Sequence, residues 1–366
     1  MKVTQKSLIV SAIAGAMILG LTANARAEGY HLVKTIQVPG VPIKVVDFST
    51  MDQENGMMYV SDRSNRGIDV INTNNDTFVR RYGGFRGVYN GAPETSGPNI
   101  GIREGRVLWV TDAPSNVKAL DIDSGKILAT IDCGGGNWRI DGAALDPRNH
   151  VLMAESADTS TPYLCWIDTK SMQLVGKTEF HESTAGLEGS VWDDRTDTFF
   201  VALPEVNHVA GAVYQMNPTT HAIVKEYHLP AGDVCEAGGI SLNKEHNEIL
   251  VGCDAKNYTD IINLTDGTVT QTGIIGGTDQ TAFDPTHHKY FIASRRGSLG
   301  SVLGVIDSDT HKLDSSPKTA PKSHAVAVNH RTGQAYVPMG PNKLPFDNDA
   351  GMGFSCTHGC IGVFAQ

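Results

Sequence analysis

The chain has 366 residues, of which 40% are hydrophobic and 19% are charged, and it contains 39 glycines. This composition is typical of a folded, turn-rich β protein and argues against disorder. The formal net charge of −10 at pH 7 argues against nonspecific binding to nucleic acid, because the phosphate backbone would repel the protein.

Residues 1–27 are expected to be a secretory signal peptide. Lys2 and Lys6 precede the apolar run LIVSAIAGAMILGL, and Ala25-Arg26-Ala27 supplies a cleavage site. An uncleaved anchor is the alternative, but the run is shorter than the ~20 apolar residues that span a bilayer. We therefore expect a mature chain of residues 28–366, no membrane span after cleavage, and a periplasmic or secreted location.

The mature chain consists of short apolar runs of strand length, separated by turn residues. Between Leu187 and Pro230 four such runs follow one another, namely LEGSVWDD, TFFVAL, AVYQMNP and AIVKEYHLP. One four-stranded sheet cannot bury both of its faces alone, so it needs neighbours of the same kind.

The same pattern recurs along the whole mature chain. A turn-leading Asp or Asn follows the first run of a unit at spacings of 41 to 50 residues, at Asp146, Asp193, Asn243, Asp284 and Asn329. This is the period of a propeller blade. The second and third runs each recur seven times, so the sequence predicts an all-β, seven-bladed β-propeller that forms one domain over residues 28–366. The predicted blades start near Pro42, Ser96, Arg139, Leu187, Glu236, Thr278 and His324.

The two ends of the chain complement each other. The first mature run, YHLVKTIQV, precedes any complete blade, and the last blade contains only three runs before Gln366. We predict that residues 30–38 supply the missing outer strand of the last blade. Closing the ring in this way removes an exposed sheet edge that could pair with another chain. A long loop from Met339 to His358 is the one irregular segment.

All six cysteines follow the signal peptide, in a compartment that favours disulfides. Cys235 precedes the first strand of blade 5 and Cys253 ends its second strand, so both lie at the same end of adjacent strands, and we predict a disulfide between them. We also predict a local bridge, Cys356–Cys360, and a bridge between blades 2 and 3, Cys133–Cys165. Free or metal-bound thiols are the alternative.

Carboxylates recur at the start of the predicted innermost strands. In several blades, the residue five positions before the turn-leading Asp or Asn is acidic or could otherwise bind a metal ion. In blade 2, Asn99 lies near the equivalent position. Oxygen ligands of this kind suit Ca²⁺ or Mg²⁺. The predicted metal ligands are Asp47, Asn99, Asp141, Glu188 and Asp279, and His324 is the candidate general base. The alternative is a water-filled channel whose polar ends are merely solvated.

Further polar residues should lie on the same face of the propeller, after each second strand or before each first one. Guanidinium groups offer forked donors to an anion, although surface salt bridges explain them almost as well. The candidate ligand-binding residues are Trp138, Arg139, His181, Arg295 and Arg296, and Arg63, Glu155 and Asp254 should lie on this face too.

Several runs resemble the YVTN-type repeats of exported bacterial seven-bladed propellers. They include MMYVSDRSNRGIDVINTNND, GSVLGVIDSDTHKL and the terminal GCIGVFA. The resemblance covers essentially all of residues 30–366 and implies the propeller fold. It implies no single function, because such propellers include binding modules, electron-transfer partners and enzymes.

A more distant resemblance connects blade 4 to the gluconolactonase-like propellers. Leu187-Glu188-Gly189 followed by Trp192 is similar to their first metal-ligand motif. This resemblance implies a channel metal and lactone hydrolysis. The later N-G…S-P-D-G pattern of that group is absent, and GGISLNKEHNE stands where it would be.

Three functional hypotheses follow. The first is an exported, monomeric propeller that binds a small ligand, a cation or an envelope protein at the channel mouth. The second is a divalent-cation-dependent hydrolase or lyase, lactonase-like, that uses the channel carboxylates. The third is an envelope scaffold without a small-molecule site.

Overall fold

The computed structural model describes residues 1, 29–157, 160–231, 235–272, 275–342 and 354–366, and its regular elements are all β-strands. The expected signal peptide, apart from Met1, lies outside these described residues, as do residues 343–353 of the long loop. Within the described ranges, no helix is long and apolar enough to cross a membrane.

Four-stranded antiparallel sheets follow one another along the chain. After β1 (His31–Gln37), blade 1 contains β2 (Val46–Asp52), β3 (Met57–Asp62), β4 (Gly67–Asn72) and β5 (Thr77–Gly83). A hairpin of β6 (Gly87–Tyr89) and β7 (Ala92–Gly97) leads to blade 2, with β8 (Gly101–Glu104), β9 (Val107–Asp112), β10 (Asn116–Asp121) and β11 (Ile127–Asp132). Blade 3 contains β12 (Ile140–Asp146), β13 (Val151–Ser156), β14 (Tyr163–Asp168) and β15 (Gln173–Glu179).

The remaining blades repeat this order. Blade 4 contains β16 (Ser190–Asp193), β17 (Thr198–Val206), β18 (Ala210–Met216) and β19 (Ile223–His228). Blade 5 contains β20 (Ala237–Asn243), β21 (Glu248–Cys253), β22 (Thr259–Asn263) and β23 (Val269–Thr272). Blade 6 contains β24 (Thr278–Asp284), β25 (Lys289–Gly297), β26 (Gly300–Asp307) and β27 (Lys312–Ser315). Blade 7 contains β28 (Ala327–Val328), β29 (Ala335–Met339), β30 (Cys360–Ala365) and β1.

The N-terminal strand closes the ring, as the sequence predicts. β1 pairs antiparallel with β30, from His31 opposite Ala365 to Gln37 opposite Cys360. Ile36 is buried against the core between blades 7 and 1. The seven-bladed propeller and its mode of closure are therefore confirmed, and the outer edge of blade 7 is covered by the chain's own first strand.

The recurring Asp or Asn has a local structural role in the turn between the first and second strands. The Asp146 carboxylate accepts backbone N–H groups two and three residues later, at 2.8 and 3.1 Å. Asn243 and Asp284 accept the equivalent pairs in their own blades. A short side chain that satisfies its own turn in this way is characteristic of Asx turns, which explains why Asp or Asn recurs at this position.

The hydrophobic core lies between neighbouring sheets. Trp109 and Val117 of blade 2 pack with Leu152 and Ile167 of blade 3. Each of the other pairs of neighbouring blades has a comparable layer of buried side chains. Near the axis, the backbones of neighbouring blades approach so closely at some positions that no side chain fits between them. A Cβ on Gly189 would lie 2.9 Å from the Cα of Gly239. Glycine at such positions lets the strands of blades 4 and 5 meet around the central channel.

Three disulfides are present, and they are the three that the sequence predicts. Cys133–Cys165 joins blades 2 and 3, with 5.8 Å between Cα atoms. Cys235–Cys253 joins the first two strands of blade 5, with 4.6 Å between Cα atoms. Cys356–Cys360 is a local bridge before β30. No cysteine is free.

The β6–β7 hairpin between blades 1 and 2 was not predicted from the sequence. Its turn contains Asn90 and Gly91, with φ angles of 51° and 70°. Asn-Gly is the most common signal for a two-residue hairpin turn, so the sequence did contain a pointer to it. The hairpin reaches the entry of blade 3, where the Glu94 carbonyl accepts the Arg139 N–H at 2.8 Å.

Candidate functional site: the channel mouth

Polar and charged side chains from six blades meet where the innermost strands begin, at one end of the central channel. We call this set the channel mouth. It consists of Asp47, Arg63, Asn99, Arg139, Asp141, Glu188, Asp279, Arg295 and His324. The carboxylate of Asp47 feels the charges of Arg63, Asp141, Arg139 and Asp279, which come from blades 1, 3 and 6. The structure thus brings these side chains close together, as the sequence predicts.

Arg63 ties blade 1 to blade 2. Its guanidinium contacts the Asp47 carboxylate, and its Nε donates to Asn99 Oδ1 at 3.0 Å. Arg63 and Asp47 are only 4% and 6% exposed, and Asn99 is fully buried. Burial raises the pKa of Asp47 to about 7, although Arg63 opposes this shift. Asn99 also donates to the Ile140 carbonyl, so both ends of its amide are already used.

Two more guanidinium groups are paired with carboxylates. Arg139 Nη2 donates to Asp141 Oδ2 at 2.5 Å. Arg295 donates to Asp279 Oδ2 at 3.1 Å through Nη1 and to Asp254 Oδ1 at 3.2 Å through Nε. An anion at the mouth would have to displace these carboxylates. The arrangement therefore does not favour an anionic ligand.

Glu188 differs from the other carboxylates of the mouth, because no guanidinium group of the described residues pairs with it. It forms no ion pair or hydrogen bond through its side chain with any described residue. Burial raises its pKa well above the usual value, and the nearby charges of Asp141 and Asp279 raise it further. The buried Asp141 likewise has one oxygen, Oδ1, without a hydrogen-bond partner among the described residues.

His324 faces these acids in a defined tautomer. Its Nδ1 lies 2.9 Å from the Lys322 carbonyl, which can only accept, so the neutral ring carries its proton on Nδ1. Burial lowers the pKa of His324; Asp279 opposes this shift and Arg295 adds to it. The Nε2 lone pair therefore points towards Asp279, with 3.8 Å between Nε2 and Oδ2.

Asp47, Asp279 and His324 present three donor atoms within 4.8 Å of one another. Burial disfavours the ionised form of Asp279, but the positive charges of Arg295, of Arg139 and of His324 when its ring is protonated together outweigh the burial, so the pKa of Asp279 lies below its usual value. Two carboxylate oxygens and a neutral imidazole nitrogen are a suitable donor set for a divalent cation.

Glu155 lies just below the mouth. It is fully buried, and neither carboxylate oxygen has a hydrogen-bond partner in the described part of the chain. A Cβ on Gly142 would lie 1.9 Å from Glu155 Oε1, so the glycine makes room for the carboxylate. Burial raises the pKa of Glu155 well above its usual value. The nearby Ser190 hydroxyl opposes this shift without forming a regular hydrogen bond, and the charge of Asp141 adds to it.

Two cavities adjoin this arrangement. The first cavity, of about 420 Å³, lies in the channel below the mouth, and the residues that line it include Glu155, Ser190 and Gln280. The second, of about 230 Å³, lies at the mouth itself between Glu188, Asp254, Asp279 and Arg295. The mouth therefore offers space for an ion with its waters or for a small organic group.

The other candidate ligand-binding residues lie away from the centre of the mouth. Arg296 contacts Asp254 and lies 3.7 Å from Glu236 at the exposed rim. The His181 side chain is 80% exposed, and its nearest charged group is Glu179, at 3.8 Å. Trp138 is partly buried, and its carbonyl accepts the Ser115 N–H at 2.7 Å.

The fold is similar to a solved structure described as Kuenenia stuttgartiensis Hydrazine Synthase. The TM-score is 0.66, and the similarity covers 83% of this chain and 94% of that chain at 15% sequence identity. At this identity the similarity shows the fold alone. No protein-family model matches the chain, and no curated protein matches its sequence.

Proposed function

We propose that this protein is an exported propeller that binds a small cationic ligand at its channel mouth, and that the ligand is a divalent metal ion. Its three disulfides support an oxidising compartment. The observation that carries the ligand class is the excess of buried carboxylates over guanidinium groups at the mouth.

The charges at the mouth do not balance. Three guanidinium groups, those of Arg63, Arg139 and Arg295, face the four carboxylates of Asp47, Asp141, Glu188 and Asp279. Asp254, at the rim, pairs with both Arg295 and Arg296 and is not counted. Glu155 adds a fifth acid below the four. Buried carboxylates without partners either take up protons or attract a cation.

The cation would lie between Asp47, Asp279 and His324, because their donor atoms all lie within 4.8 Å of one another. Glu188 lies beside them and has no competing side-chain partner among the residues that the structure describes. Asn99, whose amide oxygen accepts from Arg63, would reach a metal only by giving up that bond. Ca²⁺ and Mg²⁺ are the first ions to test, because most of the donors are oxygens.

We expect Ca²⁺ or Mg²⁺ to raise the melting temperature of protein first treated with a chelator. Binding to the folded state alone stabilises it by about 2.7 kcal/mol at a hundredfold excess over the dissociation constant. The double variant Glu188→Gln, Asp279→Asn should show no such rise. Glu54→Gln, an exposed acid far from the mouth, is the matched control and should respond like the wild type.

Differential scanning fluorimetry provides this measurement. Equal melting temperatures for chelated and ion-loaded wild type would contradict the proposal and leave the mouth as a wetted channel end. An equal rise in the double variant and the control would place the ion elsewhere.

A lactonase-like hydrolase is the second candidate function, and the tautomer of His324 favours it. In this second candidate the cation would be held by the carboxylates of Asp141, Glu188 and Asp279 and not by His324, so the Nε2 lone pair of the neutral imidazole would stay free to accept a proton from water while the cation polarised a carbonyl oxygen. A screen of lactone hydrolysis, with and without chelator, tests this activity. Hydrolysis that is lost in both chelated wild type and His324→Gln would establish it, and the absence of hydrolysis with bound ion would leave a binding protein.

A further inference from the structure

A second group of ligating side chains lies at the opposite end of the propeller, between blades 5 and 6. His246 is in the β20–β21 turn, Glu248 begins β21, and His311 is in the turn before β27. His311 Nε2 lies 3.0 Å from Glu248 Oε1, and His246 Nδ1 lies 3.7 Å from the same oxygen. The three donor atoms all lie within 4.8 Å of one another.

We propose that His246, Glu248 and His311 bind a divalent transition-metal ion of the Zn²⁺ type. Two imidazole nitrogens and one carboxylate oxygen are a common protein ligand set for zinc, with a fourth position left for water. Ligands on a tetrahedral zinc ion lie about 3.4 Å apart, given bonds of about 2.1 Å. The observed separations of 3.0 and 3.7 Å lie on either side of that value.

Groups behind the three ligands hold them in place. His246 Nε2 lies 3.4 Å from Asp309 Oδ1, so the ring can donate to this carboxylate while Nδ1 faces the ion. Such carboxylate–histidine pairs orient the imidazole in many metal sites. The buried Tyr290 hydroxyl donates to Glu248 Oε1 at 2.9 Å, and Thr272 donates to the His311 carbonyl at 2.6 Å.

The charge around this group favours a cation. Glu248, Asp309 and Glu245 form ion pairs only with histidines; no Lys or Arg among the described residues pairs with them. This differs from the channel mouth, where Arg63, Arg139 and Arg295 each face a carboxylate. The side chains of His246 and His311 are 31% and 30% exposed, so an ion from solvent can reach them.

Calorimetric titration with Zn²⁺ tests this site. The purified, chelator-treated protein should carry Glu188→Gln and Asp279→Asn, so that the channel mouth does not contribute. We expect one equivalent of Zn²⁺ to bind, with affinity at least tenfold weaker after His246→Gln or His311→Gln. Asp309→Asn should weaken binding by about 10- to 100-fold, because it removes the group that orients His246.

His228→Gln is the matched control, because His228 forms an exposed pair with Glu226 at 2.9 Å outside this group. It should leave the affinity unchanged. Glu248→Gln alters a buried acceptor, so the part-exposed histidine variants carry the test, with circular dichroism to show that they remain folded. Failure of Zn²⁺ to bind, or equal affinities for the His246, His311 and His228 variants, would overturn the proposal.

Discussion

A chain that begins at Val41 is expected to be far less stable than one that begins at Gly29, and to self-associate. The deletion removes β1 and leaves β30 as an open sheet edge. It also removes three buried side chains, those of Tyr30, Ile36 and Val38. At about 1.5–3 kcal/mol for each, their loss lowers the free energy of unfolding by roughly 5 kcal/mol or more.

Thermal unfolding and analytical ultracentrifugation measure both effects. The specific anchor that the deletion removes is Tyr30, which donates to the Gly333 carbonyl at 2.9 Å and packs edge-on against Phe291. The chain from Gly29 is the control, because it retains every described strand. A monomeric chain from Val41 with an unchanged melting temperature would show that ring closure by β1 contributes little.

Replacing Glu155 by Gln is expected to stabilise the metal-free protein at pH 8 and to have little effect near pH 4.5. The pKa of the folded-state carboxyl lies well above its ordinary value of 4.5, because the group is buried. The folded protein therefore holds this proton more tightly than the unfolded chain does. Stability is lost as the pH rises from about 4.5 through the folded-state pKa.

Glutamine has nearly the shape of the protonated acid and does not ionise, so it removes this loss. We therefore expect the free energy of unfolding of the variant to exceed that of the wild type by more at pH 8 than at pH 4.5, because only the wild type has this buried carboxyl to ionise as the pH rises. Chemical denaturation between pH 4.5 and pH 8 measures it, with Glu54→Gln as the exposed control. A variant that is equally or less stable than wild type at pH 8 would mean that Glu155 is solvated or paired in solution.

The fold was predictable because its determinants are local and repeated. Asp146, Asn243 and their equivalents cap the same turn in successive blades, and this repetition gives the blade period directly in the sequence. Ring closure followed from counting three runs in the last blade and one run before the first. By contrast, the β6–β7 hairpin lies between blades, outside the repeat, and only its Asn-Gly turn marked it.

The mouth was predictable in position but not in its pairing. Counting back from each turn places Asp47, Asp141 and Asp279 at the start of innermost strands. It does not show that Arg63, at the end of a second strand, bridges Asp47 and the distant Asn99. Such pairings depend on side-chain reach across blades. Glu155 was expected on this face, but only the structure shows that its carboxylate lies in the space over Gly142 without a hydrogen-bond partner among the described residues.

Anomalous diffraction from crystals soaked in Mn²⁺ would show whether a cation occupies the channel mouth, because Mn²⁺ binds the same oxygen and imidazole donors and its anomalous signal locates it. The proposed cation site predicts one strong peak at ligand distance from Asp47, Asp279 and His324 Nε2, and no peak there in Glu188→Gln, Asp279→Asn crystals. A mouth that holds only water, with the pairs of Arg63 and Arg295 intact, would contradict it.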